Sequence, residues 1–240
     1  MRISKPAVLF SLPGTNETGG RILATEHADP GAGHLDPEEE FDRFLARFSD
    51  ARDVADRSKL EEEVWDQFGT CGAVFISDMS GFSRSTRALG ICHFLSCIRR
   101  VRPVVARAVG EHSGILLKCE TDNCYAFFPE VDDAIRAGLQ INRELDRLNQ
   151  DEEASDKLYI SVGIDYGRLL LIGEVEYFGD PVNTASKLGE DLAARSEILI
   201  TRRAMDRTTI DLDREPDKRR ERISGIDIDY VCLDMAVRSR

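Results

Sequence analysis

The sequence predicts an α+β fold: a mixed sheet with helices mainly on one face, preceded by a helical N-terminal segment. Three observations predict it. Short apolar runs of strand length alternate with longer stretches of helical period. Their order is strand, helix, strand pair, helix, strand pair, helix, strand and a final hairpin, an interleaving that gives a mixed sheet. The chain has 240 residues, 42% of them hydrophobic. That is enough for one domain of about 150–200 residues and an appendage.

Residues 1–36 are rich in Gly, Pro, Thr and Ser without an apolar period, and read as a disordered lead. Pro37 with Glu38, Glu39 and Glu40 makes an acidic first helical turn. Phe41, Phe44, Leu45 and Phe48, then Leu60, Val64, Trp65 and Phe68, predict one or two amphipathic helices over 37–69. They either pack on the next domain or serve as a dimer or input segment, with packing favoured. The main domain is expected over 70–235 and a tail over 236–240. Within it, Ala73–Ser77 reads as a buried strand. Residues 85–109 read as helical, with Leu89 among the apolar positions and Pro103 imposing a kink or a break. Ile115–Lys118 and Cys124–Phe128 read as paired strands around Glu120–Asn123. A helix opens at Pro129-Glu130, with Val131, Ala134, Ile135, Gly138, Ile141, Leu145 and Leu148 on one face. Leu158–Asp165 and Leu169–Ile172 read as strands joined at Tyr166-Gly167-Arg168. Pro181–Ala194 reads as a short helix, Glu197–Thr201 as a strand, and Tyr230–Leu233 as the last strand.

A net charge of −12 speaks against nucleic acid and anionic membranes as partners, because both need basic patches. No apolar run approaches the ~18 residues of a membrane span. The six cysteines include no Cys-x-x-Cys pair, which makes a zinc site an unsuitable reading. Cys119 and Cys124 flank the proposed turn: either they come close together or they are small core residues. The overall usage reads as reduced, and the setting as cytoplasmic.

Two aspartates stand at strand ends. Asp78 follows Ala73-Val74-Phe75-Ile76-Ser77, and Asp122 sits at the tip of the 115–128 hairpin. The turn after Asp78 offers the backbone N–H groups of Ser80, Gly81, Phe82 and Ser83 to phosphate oxygens while the carboxylate holds a divalent cation. Taken alone, Asp78 reads more simply as a helix N-cap and Asp122 as a turn former. Lys118 lies four residues before Asp122 in an apolar strand, so it either snorkels or reads a ligand. In Glu176-Tyr177-Phe178-Gly179-Asp180-Pro181-Val182-Asn183-Thr184-Ala185-Ser186-Lys187-Leu188, Asn183 and Lys187 share one helix face. An amide and a cation there suit an anionic substrate.

In this order and spacing, Phe75–Ser83, Lys118–Asp122, Val162–Gly167 and Glu176–Leu188 resemble the catalytic domain of class III nucleotidyl cyclases, the adenylate and guanylate cyclase family. The resemblance implies a ferredoxin-like βαββαβ cyclase homology domain and a head-to-tail homodimer with shared active sites. It implies two Mg²⁺ or Mn²⁺ per site, held by Asp78 and Asp122 with the Met79 carbonyl. Lys118 and Glu176 of the other copy would read the base, Asn183 would contact the ribose, and Lys187 would face the developing charge. A lysine donor with a glutamate acceptor favours ATP over GTP and leaves CTP open.

Several positions depart from the family pattern. Lys187 replaces Arg, Glu176 replaces Asp, Thr121 replaces Gly, Ser161 replaces a basic residue, and Ile226 stands where a phosphate-binding lysine is common. Arg202, Arg203, Arg220 and Arg222 are candidates to compensate. Two alternatives stay open: a cyclase for another nucleotide, and a silent cyclase-like regulatory domain.

Overall fold

The computed structural model describes residues 36–80, 89–211, 216–223 and 225–234. The expectations for the lead before Asp36 and for the tail lie outside them. Pro37 opens α1 (Pro37–Asp50), with the Asp36 side chain accepting from Glu38 N–H at 3.4 Å. Asp53 caps α2 (Val54–Phe68) through Ala55 N–H at 3.0 Å. Such caps satisfy amides that have no partner in the first turn. Leu60, Val64 and Phe68 of α2 are buried, whereas α1 buries no residue fully. The helical segment therefore packs onto the sheet chiefly through α2.

The remaining elements are β1 (Gly69–Met79), α3 (Ile91–Glu111), β2 (Ile115–Glu120), β3 (Asn123–Phe128), α4 (Val131–Leu148), β4 (Ile160–Ile172), β5 (Glu176–Phe178), α5 (Asp180–Ser186), a π-helical turn (Lys187–Leu192), β6 (Glu197–Thr201), α6 (Arg202–Met205), β7 (Asp217–Ile223) and β8 (Ile226–Asp234). The strands form one sheet in the order β2-β3-β1-β4-β6-β8-β7, with β5 on β4. β1 lies antiparallel between β3 and β4, and β4–β6 is the parallel pair. The first four strands with α3 and α4 make the expected βαββαβ arrangement.

Three predicted features differ. β4 runs unbroken through Tyr166-Gly167-Arg168, because β1 pairs with it along its length, from Gly69↔Leu170 to Met79↔Ile160. Of the kink and the break expected at Pro103, the break does not occur, and the proline lies inside a single helix. Leu148 and Leu89, predicted on apolar faces, are exposed at 44% and 47%. Leu148 is the last residue of α4.

Side chains alternate across β1, as strand geometry requires. Ala73, Phe75 and Met79 face α3 and α4, where Val105, Phe128, Ile135, Ile141, Val162 and Ile164 complete the main core. Each such burial contributes about 1.5–3 kcal/mol. Val74 and Ile76 face the other way, onto Phe127, Leu169, Tyr177 and Ala185. Asp78 continues this second series. α5 and the π turn lie hard against that face at two glycines. A Cβ on Gly163 would sit 2.1 Å from the Ala185 carbonyl oxygen, and one on Gly189 would sit 2.7 Å from that of Ile76. Ser161, buried at 2% exposure, donates to the Gly189 carbonyl at 3.0 Å. A small hydroxyl there ties the π turn to the sheet, at the position where the family pattern has a basic residue.

Candidate active site

Asp78, at the end of β1, is half-buried, and its carboxyl lies within hydrogen-bonding reach of Asp122. Burial, then the negative charges of Asp122 and Glu190, push its pKa up to about 7, with only the Met79 N–H pulling it down. The sequence reading brought the two aspartates together, and the structure does so. It did not single out Glu190, which joins them from the π turn. The signal was available, since Glu190 stands three residues after Lys187 and one helical turn separates them.

The hairpin that carries Asp122 is shaped by three local features. First, the β2–β3 register shifts between Leu116 and Lys118, so that Lys118 pairs with Tyr125. Such a bulge re-aims a side chain. Here it turns Lys118 toward Tyr125, with Nζ 5.6 Å from the ring centroid. Second, Thr121 has φ 49°, a left-handed conformation that glycine adopts without strain, and its carbonyl accepts from Arg102 Nη2 at 2.7 Å. Third, Cys119 and Cys124 are cross-strand partners joined by a disulfide. The reduced reading fits Cys71, Cys92 and Cys97, which form no disulfide, and fails at this pair, because the register places the two side chains side by side. The closed loop is short, so reducing the bond is expected to lower the unfolding free energy by about 2 kcal/mol. Urea unfolding with and without dithiothreitol measures this.

Lys118 Nζ lies 3.5 Å from Glu176 Oε1, so the predicted base-reading pair is assembled. Glu176 sits on β5, which hydrogen-bonds to the end of β4. The pair borders a cavity of about 140 Å³ floored by Leu117, Tyr125, Tyr177 and Val182. Phe178, at the end of the same strand, stacks on Phe41 of α1 at 5.8 Å.

Asn183 of α5 is exposed, and Lys187, half-buried, opens the π turn. The Lys187 N–H donates to the Asn183 carbonyl, so the two residues stand one turn apart as predicted. Among the described residues Lys187 makes no ion pair. The other candidate cations are engaged. Arg203 binds the fully buried Asp165, with Nε donating at 2.6 Å, and reaches Asp180 at 2.7 Å. It thereby clips the start of α5 to β4 and does not compensate for Lys187. Arg202 pairs with Asp206, while Arg220 and Arg222 pair with Asp227 on the edge hairpin. Ile226 is exposed at 54%.

The turn after β1 is less free than expected. The Ser80 N–H donates to the Tyr159 carbonyl at 3.1 Å, which extends the β1–β4 ladder by one bond and removes that donor from any phosphate. Gly81, Phe82 and Ser83 lie outside the described residues. The Met79 side chain is buried in the main core at 7% exposure.

The carboxyl pair fits a hard divalent cation. Two oxygen-donor groups of like charge are held together with Glu190 near them, and a cation would relieve that repulsion. Among the described residues no group of three or more His, Cys, Asp or Glu side chains is set to hold a metal by itself. The remaining ligands would then be water and substrate phosphate, the usual manner of Mg²⁺.

No protein-family model and no curated protein matches the sequence. Solved structures do match. An adenylate/guanylate cyclase/hydrolase from Silicibacter pomeroyi is similar with a TM-score of 0.59 and 21% identity, over 69% of this chain and 97% of that one. The adenylyl cyclase CyaB from P. aeruginosa gives 0.54 and 18%, over 69% and 96%. The guanylate cyclase domain of RhGC from Catenaria anguillulae, solved with GTP, gives 0.53 and 14%, over 68% and 96%. The chain therefore has the fold of adenylate and guanylate cyclase catalytic domains. Among the described residues no helix is long and apolar enough to cross a membrane.

Proposed function

We propose that the chain is a nucleotidyl cyclase. It converts a nucleoside triphosphate, ATP by preference, into the 3′,5′-cyclic nucleotide and pyrophosphate at sites shared by two copies of the chain. The observation that carries this reading is the joint placement of the Asp78/Asp122 carboxyl pair and the Lys118–Glu176 pair, 3.5 Å apart, on a sheet of the cyclase fold. The setting is cytoplasmic, where nucleoside triphosphates are supplied.

Asp78 and Asp122 of one copy would hold two Mg²⁺ or Mn²⁺, with the Met79 carbonyl as a further oxygen. Bound there, the cations supply Lewis-acid polarisation of the α-phosphate and activation of the ribose 3′-hydroxyl. The ribose 3′-hydroxyl passes its proton to solvent water, its oxygen bonds to the α-phosphorus, and the bond from the α-phosphorus to the bridging oxygen of the β-phosphate breaks, which releases pyrophosphate. Lys118 of the second copy donates to adenine N1, and Glu176 accepts from the N6 amino group. Asn183 orients the ribose for in-line attack. The Lys187 ammonium faces the charge that builds on the phosphate oxygens, as a point charge without the fork of an arginine.

A second reading, a nucleotide-binding regulator without turnover, is favoured by one observation. Arg203, Arg202, Arg220 and Arg222 are all paired with carboxylates within the chain, whereas among the described residues Lys187 makes no ion pair. Incubating the protein with each of the four nucleoside triphosphates and Mn²⁺, and assaying cyclic product and pyrophosphate, decides between them. ATP is expected to give cyclic AMP. Binding without product from any nucleotide sinks the enzyme reading and leaves the regulator.

A further inference from the structure

The base-reading pair has a third member. Strand alternation in β2 puts Lys118 and Glu120 on the same face, two residues apart. Lys118 Nζ lies 3.4 Å from Glu120 Oε1 and 3.5 Å from Glu176 Oε1. Both carboxylates line the cavity that holds Lys118, Tyr125 and Tyr177. The Tyr177 hydroxyl is buried without a hydrogen-bond partner among the described residues, so this cavity also borders a polar group that lacks a partner. The ammonium is therefore within reach of two acceptors: Glu176 from β5, and Glu120 from its own strand.

We propose that Glu120 is a specificity-determining residue that admits guanine to a pocket otherwise set for adenine. The proposal rests on the nucleotidyl cyclase reading of this pocket. Adenine presents a donor at position 6 beside an acceptor at position 1, and guanine presents an acceptor at position 6 beside donors at positions 1 and 2. A pocket with one carboxylate beside one ammonium matches only one of these orders. A second carboxylate beside the ammonium gives it a partner set for either order. Adenine uses Glu176 and Lys118. Guanine uses Lys118 at O6 and Glu120 at N1–H and the 2-amino group. With adenine bound, Glu120 faces the ring edge without a donor, an arrangement that weakens ATP binding.

The test compares the wild type with Glu120→Leu and Glu176→Gln. Glu120 is well exposed, with 62% of its side chain accessible, so the substitution leaves the core untouched. Two quantities are read: the affinities for ATP and GTP with Mn²⁺ by calorimetry, and kcat/KM for each nucleotide. Glu120→Leu is expected to lower the GTP-to-ATP ratio about tenfold, the scale of one hydrogen bond to a charged group. Glu176→Gln is expected to raise the same ratio. A ratio unchanged by Glu120→Leu, or one that moves toward GTP, overturns the proposal. If nucleotides bind but no cyclic product forms, the cyclase reading fails, and the affinity ratio alone decides the role of Glu120. If neither nucleotide binds to the wild type, both fall.

Discussion

Replacing Asp78 by Asn is expected to abolish cyclic nucleotide formation, by about 10³-fold or more, and to stabilise the cation-free protein above pH 7. The first effect follows from losing one of the two carboxylates proposed to hold the cations, a contribution of several kcal/mol to the transition state. The second follows from electrostatics. Asp78 has its pKa raised from an ordinary 3.8 to about 7, by burial first and then by Asp122 and Glu190. Between these values the folded protein keeps a proton that the unfolded chain has lost. The stability this provides is whole below about pH 4 and is lost as pH rises through 7. Above pH 7 the cation-free wild type carries an ionised carboxylate beside Asp122, and the Asn variant does not. The variant is then the more stable by about 1 kcal/mol, once the shift is discounted for solvent screening at a half-buried group. At pH 4 the difference vanishes. Unfolding of both proteins at pH 4 and pH 8 in EDTA checks the sign. With Mn²⁺ present the order is expected to reverse at pH 8, because the cation stabilises only the wild type. Its affinity should fall about tenfold per unit below pH 7, as the proton on Asp78 must leave.

Arg203→Ala is expected to cost about 3–5 kcal/mol, the largest stability loss anticipated for a single partly exposed side chain here. Asp165 is fully buried in β4 and accepts from Arg203, from the Thr201 hydroxyl and from the Tyr166 N–H. Removing Arg203 leaves that carboxylate without its cation in the interior. It also frees Asp180 at the first turn of α5, so Asn183 and Lys187 lose a tether and turnover falls with stability. Arg203→Lys keeps the charge but loses the fork, and should recover only part of the loss. Arg202→Ala, which breaks the exposed pair with Asp206, is the control and should change stability by less than about 0.5 kcal/mol. Urea midpoints of the three variants measure the series.

The site was legible in the sequence where it depends on strand and helix period. Asp78 continues the Val74–Ile76 series, Lys118 and Asp122 share a hairpin, and Asn183 and Lys187 share a helix turn. Those relations are local, and period alone fixes them. Glu120 is legible in the same way, two residues from Lys118 on one strand. What could not be read depends on contacts between distant segments. Arg203 was kept as a candidate phosphate ligand because nothing in the sequence couples it to Asp165, 38 positions away. The Ser80 N–H was counted as free because the β1–β4 register decides its partner. The bulge at Leu116–Lys118, which turns Lys118 toward Tyr125, leaves no mark in composition. The fold was legible because the hydrophobic pattern repeats over many residues, so no single local exception outweighs it.

One copy is proposed to supply Asp78 and Asp122 while a second supplies Lys118, Glu176, Asn183 and Lys187. Mixing two inactive variants, Asp78→Ala and Asn183→Ala, tests it most directly. Each alone spoils both sites of a two-fold dimer. A mixed dimer carries both lesions in one site and none in the other. After equimolar mixing and exchange, activity should return to about a quarter of the wild-type value. Mixing that restores nothing, with both variants folded and forming mixed dimers, would contradict the shared site.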